Sequence, residues 1–323
     1  MKAAVRDVYG SSEVVHIDDV PVPEPKKNEV LIRVKAAGLD AGVWHLMTGT
    51  PLLVRYMGIG VKKPKQHTLG ADVAGIVERI GAGVTKFKPG DEVFGVGTGT
   101  FAEYAVANHK KLALKPAKLS FEQAAASPIS GITALQAIRK GNVGPSSRVL
   151  VLGASGGVGH FAVQIAKAKV AHVTGVSSEL KRHLVQTLGA DETLDYRTTD
   201  ITDGTRKFDL IVDTGGNRTL EQLRKALTPT GTLVLVGGEG AGGPFLGGLE
   251  RQLGIGFVSM FSKQKLGGLV SLTNAKDLAE LSALLESGTI APRVNVQFAL
   301  SKTRQAIALY ERGETSGKVV ITL

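Results

Sequence analysis

Between Leu150 and Ala168 the chain reads LVLGASGGVGHFAVQIAKA, an apolar run, then a glycine cluster, then a helical pattern. Aligned on its last glycine, the cluster is Ala154-x-Gly156-x-x-Gly159, a dinucleotide-turn spacing with alanine at the first position. The later glycines let backbone approach a pyrophosphate and let the helix pack on the strand, while the helix start offers N–H groups and positive potential. A methyl at the first position is tolerated if its φ stays negative.

The choice of dinucleotide rests on the end of the next strand, about 20 residues on, where NAD sites place an acid against the ribose 2′-hydroxyl. Here the chain reads TGVSSELKRH, with Ser177 and Ser178 at the strand tip and Lys181 and Arg182 one helical turn beyond. Hydroxyls and cations at that point suit a 2′-phosphate through charge-assisted hydrogen bonds. Glu179 opposes that reading. The balance predicts NADPH over NADH.

A second candidate stretch is GLDAGVWHLMTGTP, Gly38 to Pro51. Imidazole titrates near neutral pH, so His45 is a candidate proton donor to a substrate oxygen, with a packing or solvated histidine as the alternative. Asp40 could hydrogen-bond a nicotinamide amide or ribose, act as an acid if desolvation raises its pKa, or simply cap a helix. Tyr56 and Phe94 are candidate walls of an apolar substrate pocket, with core packing the competing role for Phe94.

These positions need strands and helices to hold them. The first 120 or so residues alternate like strands in EVLIRVKAAGL and DVAGIVERIG, and KPGDEVFGV feeds a third strand from a Pro-Gly-Asp turn. Ser120 with Gln123 three residues later opens a helix as a capping box. Alternating units follow: strand 149–152, helix 158–168, strand 172–176, helix 179–188, strand 210–213, helix 220–227 and strand 232–236. Strands separated by helices predict βαβ crossovers and a doubly wound parallel sheet. A helix over 277–288 and a final strand in GKVVITL complete the pattern.

At 323 residues the chain is long enough for two domains. Its 43% hydrophobic and 21% charged residues describe a soluble globular protein, and no apolar run reaches a membrane span. The N-terminus lacks the apolar core of a signal peptide, so the expected location is the cytoplasm. No cysteine is present, which removes disulfides, thiolate metal ligands and thiol nucleophiles together. The formal charge of +10 favours anionic partners, a phosphorylated cofactor or an acidic membrane surface among them. Lysines and arginines are scattered, the densest cluster being VKKPK at 61–65 without aromatic interleaving, so a nucleic-acid partner is not expected.

The segments EVLIRVKAAGL, LGADVAGIVERIGAGVTKFKPGDEVFGV, FAEYAV, AAASPISGITALQAI, VLGASGGVGHFAVQIAKA, LGADETLDYR and SGKVVITL run in order over nearly the whole length. In them the chain resembles the medium-chain dehydrogenase/reductases, specifically their zinc-free quinone oxidoreductase, or zeta-crystallin-like, group. The resemblance implies an α/β fold: a GroES-like β-barrel domain over 1–121 and 291–323, a Rossmann NADP-binding domain over 122–290, and an active site in their cleft. It also implies a homodimer. Zinc-dependent relatives carry Gly-His-Glu where this chain has Gly70, Ala71 and Asp72, so a catalytic zinc is not expected.

By position, the resemblance implies that Lys181 and Tyr196 hold the 2′-phosphate and that Ser155, Gly156, Gly157 and Val158 form the pyrophosphate turn. It further implies Thr133 as a contact to the nicotinamide half and Lys318 as a residue near the cofactor. Thr214, Gly237 and Gly238 follow apolar strands, at the ends where a doubly wound sheet binds ligands. Relatives show an Asn-x-x-Asp or Asn-x-x-Asp-Trp pattern where this chain has Asp40 and Val43 but keeps Trp44, which joins Tyr56 and Phe94 as a substrate-side candidate. The expected activity is zinc-independent, NADPH-dependent hydride transfer to a quinone or an α,β-unsaturated carbonyl. An enoyl-thioester or alkenal reductase is the alternative, as is a weakly catalytic NADPH-binding protein acting as a sensor or at a membrane surface.

Overall fold

The computed structural model describes residues 1–216, 218–237, 245, 255, 259 and 262–323. Two compact units emerge, Met1–Ile132 with Thr273–Leu323, and Thr133–Leu272.

The first unit is built on a seven-stranded sheet in the order Val294–Ala299, Lys318–Thr322, Glu29–Leu39, Asp72–Ile80, Glu92–Val96, Leu112–Leu114, with Tyr104–Asn108 also pairing Glu29–Leu39. The long strand Glu29–Leu39 explains the curvature. One edge pairs with Tyr104–Asn108 over its first half and with the C-terminal strand over its second, and its register against Asp72–Ile80 shifts twice. Such bulges bend and coil a strand, which is how an antiparallel sheet closes toward a barrel. Apolar side chains from these strands, Ile32, Val73, Val93 and Val319 among them, pack with Met47 and Phe101 into one buried core. The GroES-like expectation is met.

The second unit is a six-stranded parallel sheet in the order Glu192–Asp195, His172–Ser177, Arg148–Leu152, Phe208–Asp213, Leu227–Leu235, Lys265–Gly268. In chain order this is the 3-2-1-4-5-6 arrangement of a Rossmann sheet, with its topological switch point between Arg148–Leu152 and Phe208–Asp213. The central strands are buried on both faces, which accounts for their continuous apolar runs RVLVL and LIV.

Several element expectations shift. The helix expected at 179–188 is a 3₁₀ turn, Glu179–Lys181, followed by Arg182–Thr187. The strands Glu192–Asp195 and Lys265–Gly268 and the helix Ala41–Thr48 are additional. The unit boundaries also differ from 1–121/291–323 and 122–290. The helix Phe121–Ala125 packs on strands Glu29–Leu39 and Asp72–Ile80, and the helix Ala275–Glu286 packs on Leu112–Leu114. Leu278, Leu281 and Leu285 are buried, and the Ala117 amide donates to the Glu286 carboxylate, so both helices belong to the first unit. Among the described residues no helix is long and apolar enough to cross a membrane.

Candidate cofactor site

The glycine turn follows the strand Arg148–Leu152, but the residue that needs glycine is one position earlier than the sequence spacing implies. Gly153 has φ +74°, and a Cβ there would collide with Thr214 Oγ1. Ala154 carries no positive φ. It is fully buried, and its amide donates to Val176 O at 2.9 Å, locking the turn onto the neighbouring strand. The tight turn is therefore kept by Gly153, and the alanine methyl is accommodated as core.

Gly156 N donates back to Gly153 O at 2.9 Å, while the helix Gly159–Ala168 begins after Val158 with no side-chain cap. A Cβ on Gly159 would run into Gly153 O, so helix and turn meet at backbone distance. The amides of Gly157 and Val158 donate to no carbonyl among the described residues. Unpaired N–H groups at a helix start are a place for anionic oxygens, so this cradle fits a dinucleotide pyrophosphate.

Beside it, at the C-terminal ends of the strands around the switch point, lies a cavity of about 680 Å³. It is lined by Leu152, Gly153 and Ser155 at the end of strand Arg148–Leu152, by Ser177, Ser178 and Lys181 at the end of His172–Ser177, and by Tyr196 and Arg197 after Glu192–Asp195. Asp213, Gly215 and Arg218 close the side that follows strand Phe208–Asp213. Burial pulls Lys181 below the ordinary lysine pKa. It does the same to Arg218, against the upward pull of Asp213 and Asp200.

The sequence-selected residues divide accordingly. Ser155, Ser177, Ser178, Lys181 and Tyr196 meet around the cavity, with Gly156, Gly157 and Val158 in the adjoining turn. Arg182 does not join them, because its guanidinium is paired with Glu179 at 2.9 Å and its Nε donates to Thr193. The same pair draws the opposing acid Glu179 away. Thr214 turns inward, its Oγ1 donating to Leu152 O at 2.7 Å, so it positions the turn rather than lining the cavity. Gly237 sits against Thr214 with its amide bonded to Asp213 O. Gly238 lies outside the described residues. Thr133 is buried on the helix Pro128–Lys140, away from this cavity's lining.

Lys318 is placed quite differently from the cofactor-contact expectation. It is buried in the first unit, where its Nζ meets Asp72 Oδ2 and Ser130 Oγ, each at 3.2 Å. Asp72 also accepts from the Ile129 amide at 2.9 Å. Burial pushes the Asp72 carboxyl up to about 7, the Lys318 charge opposing and Asp40 reinforcing that rise.

The substrate-side candidates are largely structural. Asp40 caps the helix Ala41–Thr48, accepting from Val43 N at 3.1 Å, and its other oxygen is buried without a hydrogen-bond partner. His45 Nδ1 lies 2.7 Å from Thr50 O. A carbonyl only accepts, so Nδ1 donates to it and is committed to the chain's own backbone. Trp44 packs on the core and donates to Glu311 at 3.3 Å, and it stands edge-on to His45. Phe94 is fully buried in strand Glu92–Val96, which corrects the pocket-wall expectation: it is a core residue. Tyr56 is 66% exposed and does not line the cavity beside the glycine turn.

Arg197, Thr198, Asp213, Arg218 and Gln222 line the cavity without having been selected from sequence. A signal existed for Arg218. It directly precedes the capping box Thr219–Gln222, just after the strand LIVD at the switch point.

A strand-turn-helix cradle and a polar cavity at the ends of a Rossmann sheet, in a chain that also holds a GroES-like unit, define a dinucleotide-dependent dehydrogenase/reductase. Comparison with known proteins gives the family. An alcohol dehydrogenase GroES-like domain matches residues 26–117 and a zinc-binding dehydrogenase domain matches residues 188–321. A mitochondrial NAD(P)H oxidoreductase of Bos taurus is 34% identical over 100% of this chain and 89% of its own. A chloroplast envelope quinone oxidoreductase homolog of Arabidopsis thaliana is 32% identical over 97% of this chain and 94% of its own. A 2-methylene-furan-3-one reductase of Solanum lycopersicum is 33% identical over 99% and 79%. Among solved structures, the quinone oxidoreductase of Coxiella burnetii superposes with a TM-score of 0.89 at 28% identity, covering 100% of this chain and 99% of that one. The Escherichia coli quinone oxidoreductase, complexed with NADPH, superposes with a TM-score of 0.84 at 25% identity, covering both chains fully. The chain belongs to the medium-chain dehydrogenase/reductase family, in its quinone oxidoreductase group. It is an NAD(P)H-type oxidoreductase.

Proposed function

We propose that the chain is a zinc-independent reductase that uses NADPH in preference to NADH and reduces a quinone or the β-carbon of an α,β-unsaturated carbonyl. The observation that carries the cofactor preference is the cavity wall of Ser177, Ser178 and Lys181, from which Glu179 is turned away by Arg182. Two hydroxyls and a partly desolvated ammonium offer a 2′-phosphate charge-assisted bonds, while the cavity's two carboxylates, Asp200 and Asp213, accept from amides and a hydroxyl of their own loops.

The dihydronicotinamide, when bound, supplies a hydride. The protein's part is to fix its position: the Gly157 and Val158 amides would hold phosphate oxygens, Thr214 braces the turn, and the cavity would take the adenosine end. A chain without cysteine offers no thiolate set for zinc. The quinone and enone reductases among the relatives support the two acceptor classes. Cytoplasmic residence and homodimer assembly are part of the same reading, checked by cell fractionation and sedimentation.

The test is the rate of NADPH and NADH oxidation against a panel of quinones, enals, enones and enoyl thioesters, before and after dialysis against a chelator. Turnover of at least one quinone or enone, faster with NADPH and insensitive to the chelator, is expected. Turnover of enoyl thioesters alone selects the thioester reductase, and tight NADPH binding without any turnover selects a binding protein.

A membrane-surface role has one observation in its favour. Tyr56, Met57 and Val61 are exposed at 66, 75 and 48%, next to Lys62, Lys63 and Lys65 in chain and exposed with them. Exposed apolar side chains beside lysines suit an anionic lipid surface. Co-sedimentation with anionic vesicles, lost on Lys62/Lys63/Lys65→Glu, is the expected result; no sedimentation removes the role.

A further inference from the structure

We infer that Arg218 is a specificity-determining residue that reads the cofactor's 2′-phosphate from the side of the cavity opposite the chain segment carrying Lys181. This rests on the NADPH reading above and names a residue that neither the motif nor the resemblance assigned.

The cavity is lined by three cations, Lys181, Arg197 and Arg218, and two carboxylates, Asp200 and Asp213. The carboxylates are engaged within their own loops. Asp213 Oδ1 accepts from the amides of Gly215 and Gly216 at 3.1 and 3.0 Å, and Asp200 Oδ1 accepts from Thr202 N and Oγ1 at 2.8 and 2.6 Å. Arg197 is exposed and lies over the Tyr196 ring, 5.4 Å from its centroid. Arg218 is half-buried, and it makes no hydrogen bond or ion pair to any described residue; Asp213 and Asp200 reach it only through space.

A guanidinium cannot shed its charge, so one taken partly out of water without a partner is poised for an anion. Its planar fork matches two oxygens of a phosphate monoester, which a compact ammonium does not. Removing it would leave two cations facing two carboxylates, so it is also the charge that tips the cavity positive. The local backbone holds it ready: upstream the Asp213 turn pins Thr214–Gly216, with Gly216 at φ +71°, and downstream the Thr219–Gln222 capping box fixes the start of the next helix. Arg218 lies between two hydrogen-bonded anchors, which lowers the entropy lost on binding.

The experiment is calorimetric binding of adenosine 2′,5′-bisphosphate, adenosine 5′-diphosphate, NADPH and NADH to the full chain, in wild type, Arg218→Gln and Arg218→Lys. Arg218→Gln is expected to weaken the two 2′-phosphorylated ligands by about 10- to 100-fold, the range of one or two charge-assisted hydrogen bonds. The diphosphate and NADH should change by less than about twofold, and Arg218→Lys should recover part of the loss through charge alone. Thermal denaturation should be nearly unchanged, because Arg218 makes no hydrogen bond or ion pair to a described residue. Equal weakening of all four ligands, or none of any while wild type still prefers the 2′-phosphate, overturns the role of Arg218. A wild type that binds NADPH and NADH alike overturns the NADPH reading itself.

Discussion

Lys318 Nζ stands 3.2 Å from Asp72 Oδ2 with both side chains essentially sealed from water, at 1 and 0% exposure. The pair ties the C-terminal strand Lys318–Thr322 to strand Asp72–Ile80 and, through Ser130 and the Ile129 amide, to the first turn of the helix Pro128–Lys140. Removing the acid leaves the Lys318 ammonium buried and uncompensated. Asp72→Leu alone should therefore destabilise the chain by about 3–5 kcal/mol. Asp72→Leu with Lys318→Met should be much less costly than the single change, as read by denaturant unfolding.

The same pair sets a pH dependence. Asp72 titrates near 7 in the folded chain against 3.8 for an ordinary aspartate, because burial outweighs the pull of Lys318. A carboxyl whose folded pKa is raised contributes stability that is fully present below the unfolded value and is lost as pH rises through the folded one. Wild type should therefore lose stability relative to Asp72→Asn between about pH 4 and pH 7 and run parallel to it above. Parallel curves across the whole range would show that Asp72 ionises as an ordinary carboxylate does.

Gly153→Ala tests the turn. The new methyl meets Thr214 Oγ1 and the residue keeps a positive φ, so both strain and overlap arise at one position. A loss of about 1–3 kcal/mol and weakened binding of NADPH and NADH together are expected. Ala154→Gly, by contrast, removes a buried methyl without restoring any needed freedom, and it should lower stability with no gain in cofactor affinity.

Lys181→Ala should raise the NADPH Michaelis constant by roughly tenfold and leave that for NADH within about twofold, the consequence of losing one charge-assisted hydrogen bond to a 2′-phosphate. An unchanged ratio of the two constants would remove Lys181 from the site.

His45→Ala should cost less than about tenfold in turnover, far below the loss expected of a general acid. Its Nδ1 is committed to Thr50 O at 2.7 Å, so the ring braces the chain between Ala41–Thr48 and the following segment. A drop of a hundredfold or more, with an activity profile that follows imidazolium, would reinstate it as the proton donor.

The two-part architecture was legible in the chain itself, because period-two patterning, βαβ alternation and the Ser120–Gln123 cap are local signals that the folded chain obeys. The sequence also located the strand end where Ser177, Ser178 and Lys181 gather, since the motif and the spacing to it lie within one βαβ unit. Tertiary structure decided what depends on segments distant in the chain. Only across the switch point does Arg218 come to share a cavity with Lys181, and only because both their strands pair with Glu29–Leu39 does Lys318 find Asp72, 246 residues away. Spacing alone put the missing glycine at Ala154; the φ of +74° shows the turn is made at Gly153, because backbone conformation, not motif position, is what a Cβ obstructs. Charge type at a position is written in the sequence, whereas whether that charge is paired, as Arg182 is, or open to a ligand, as Arg218 is, follows from which neighbours the fold brings within reach.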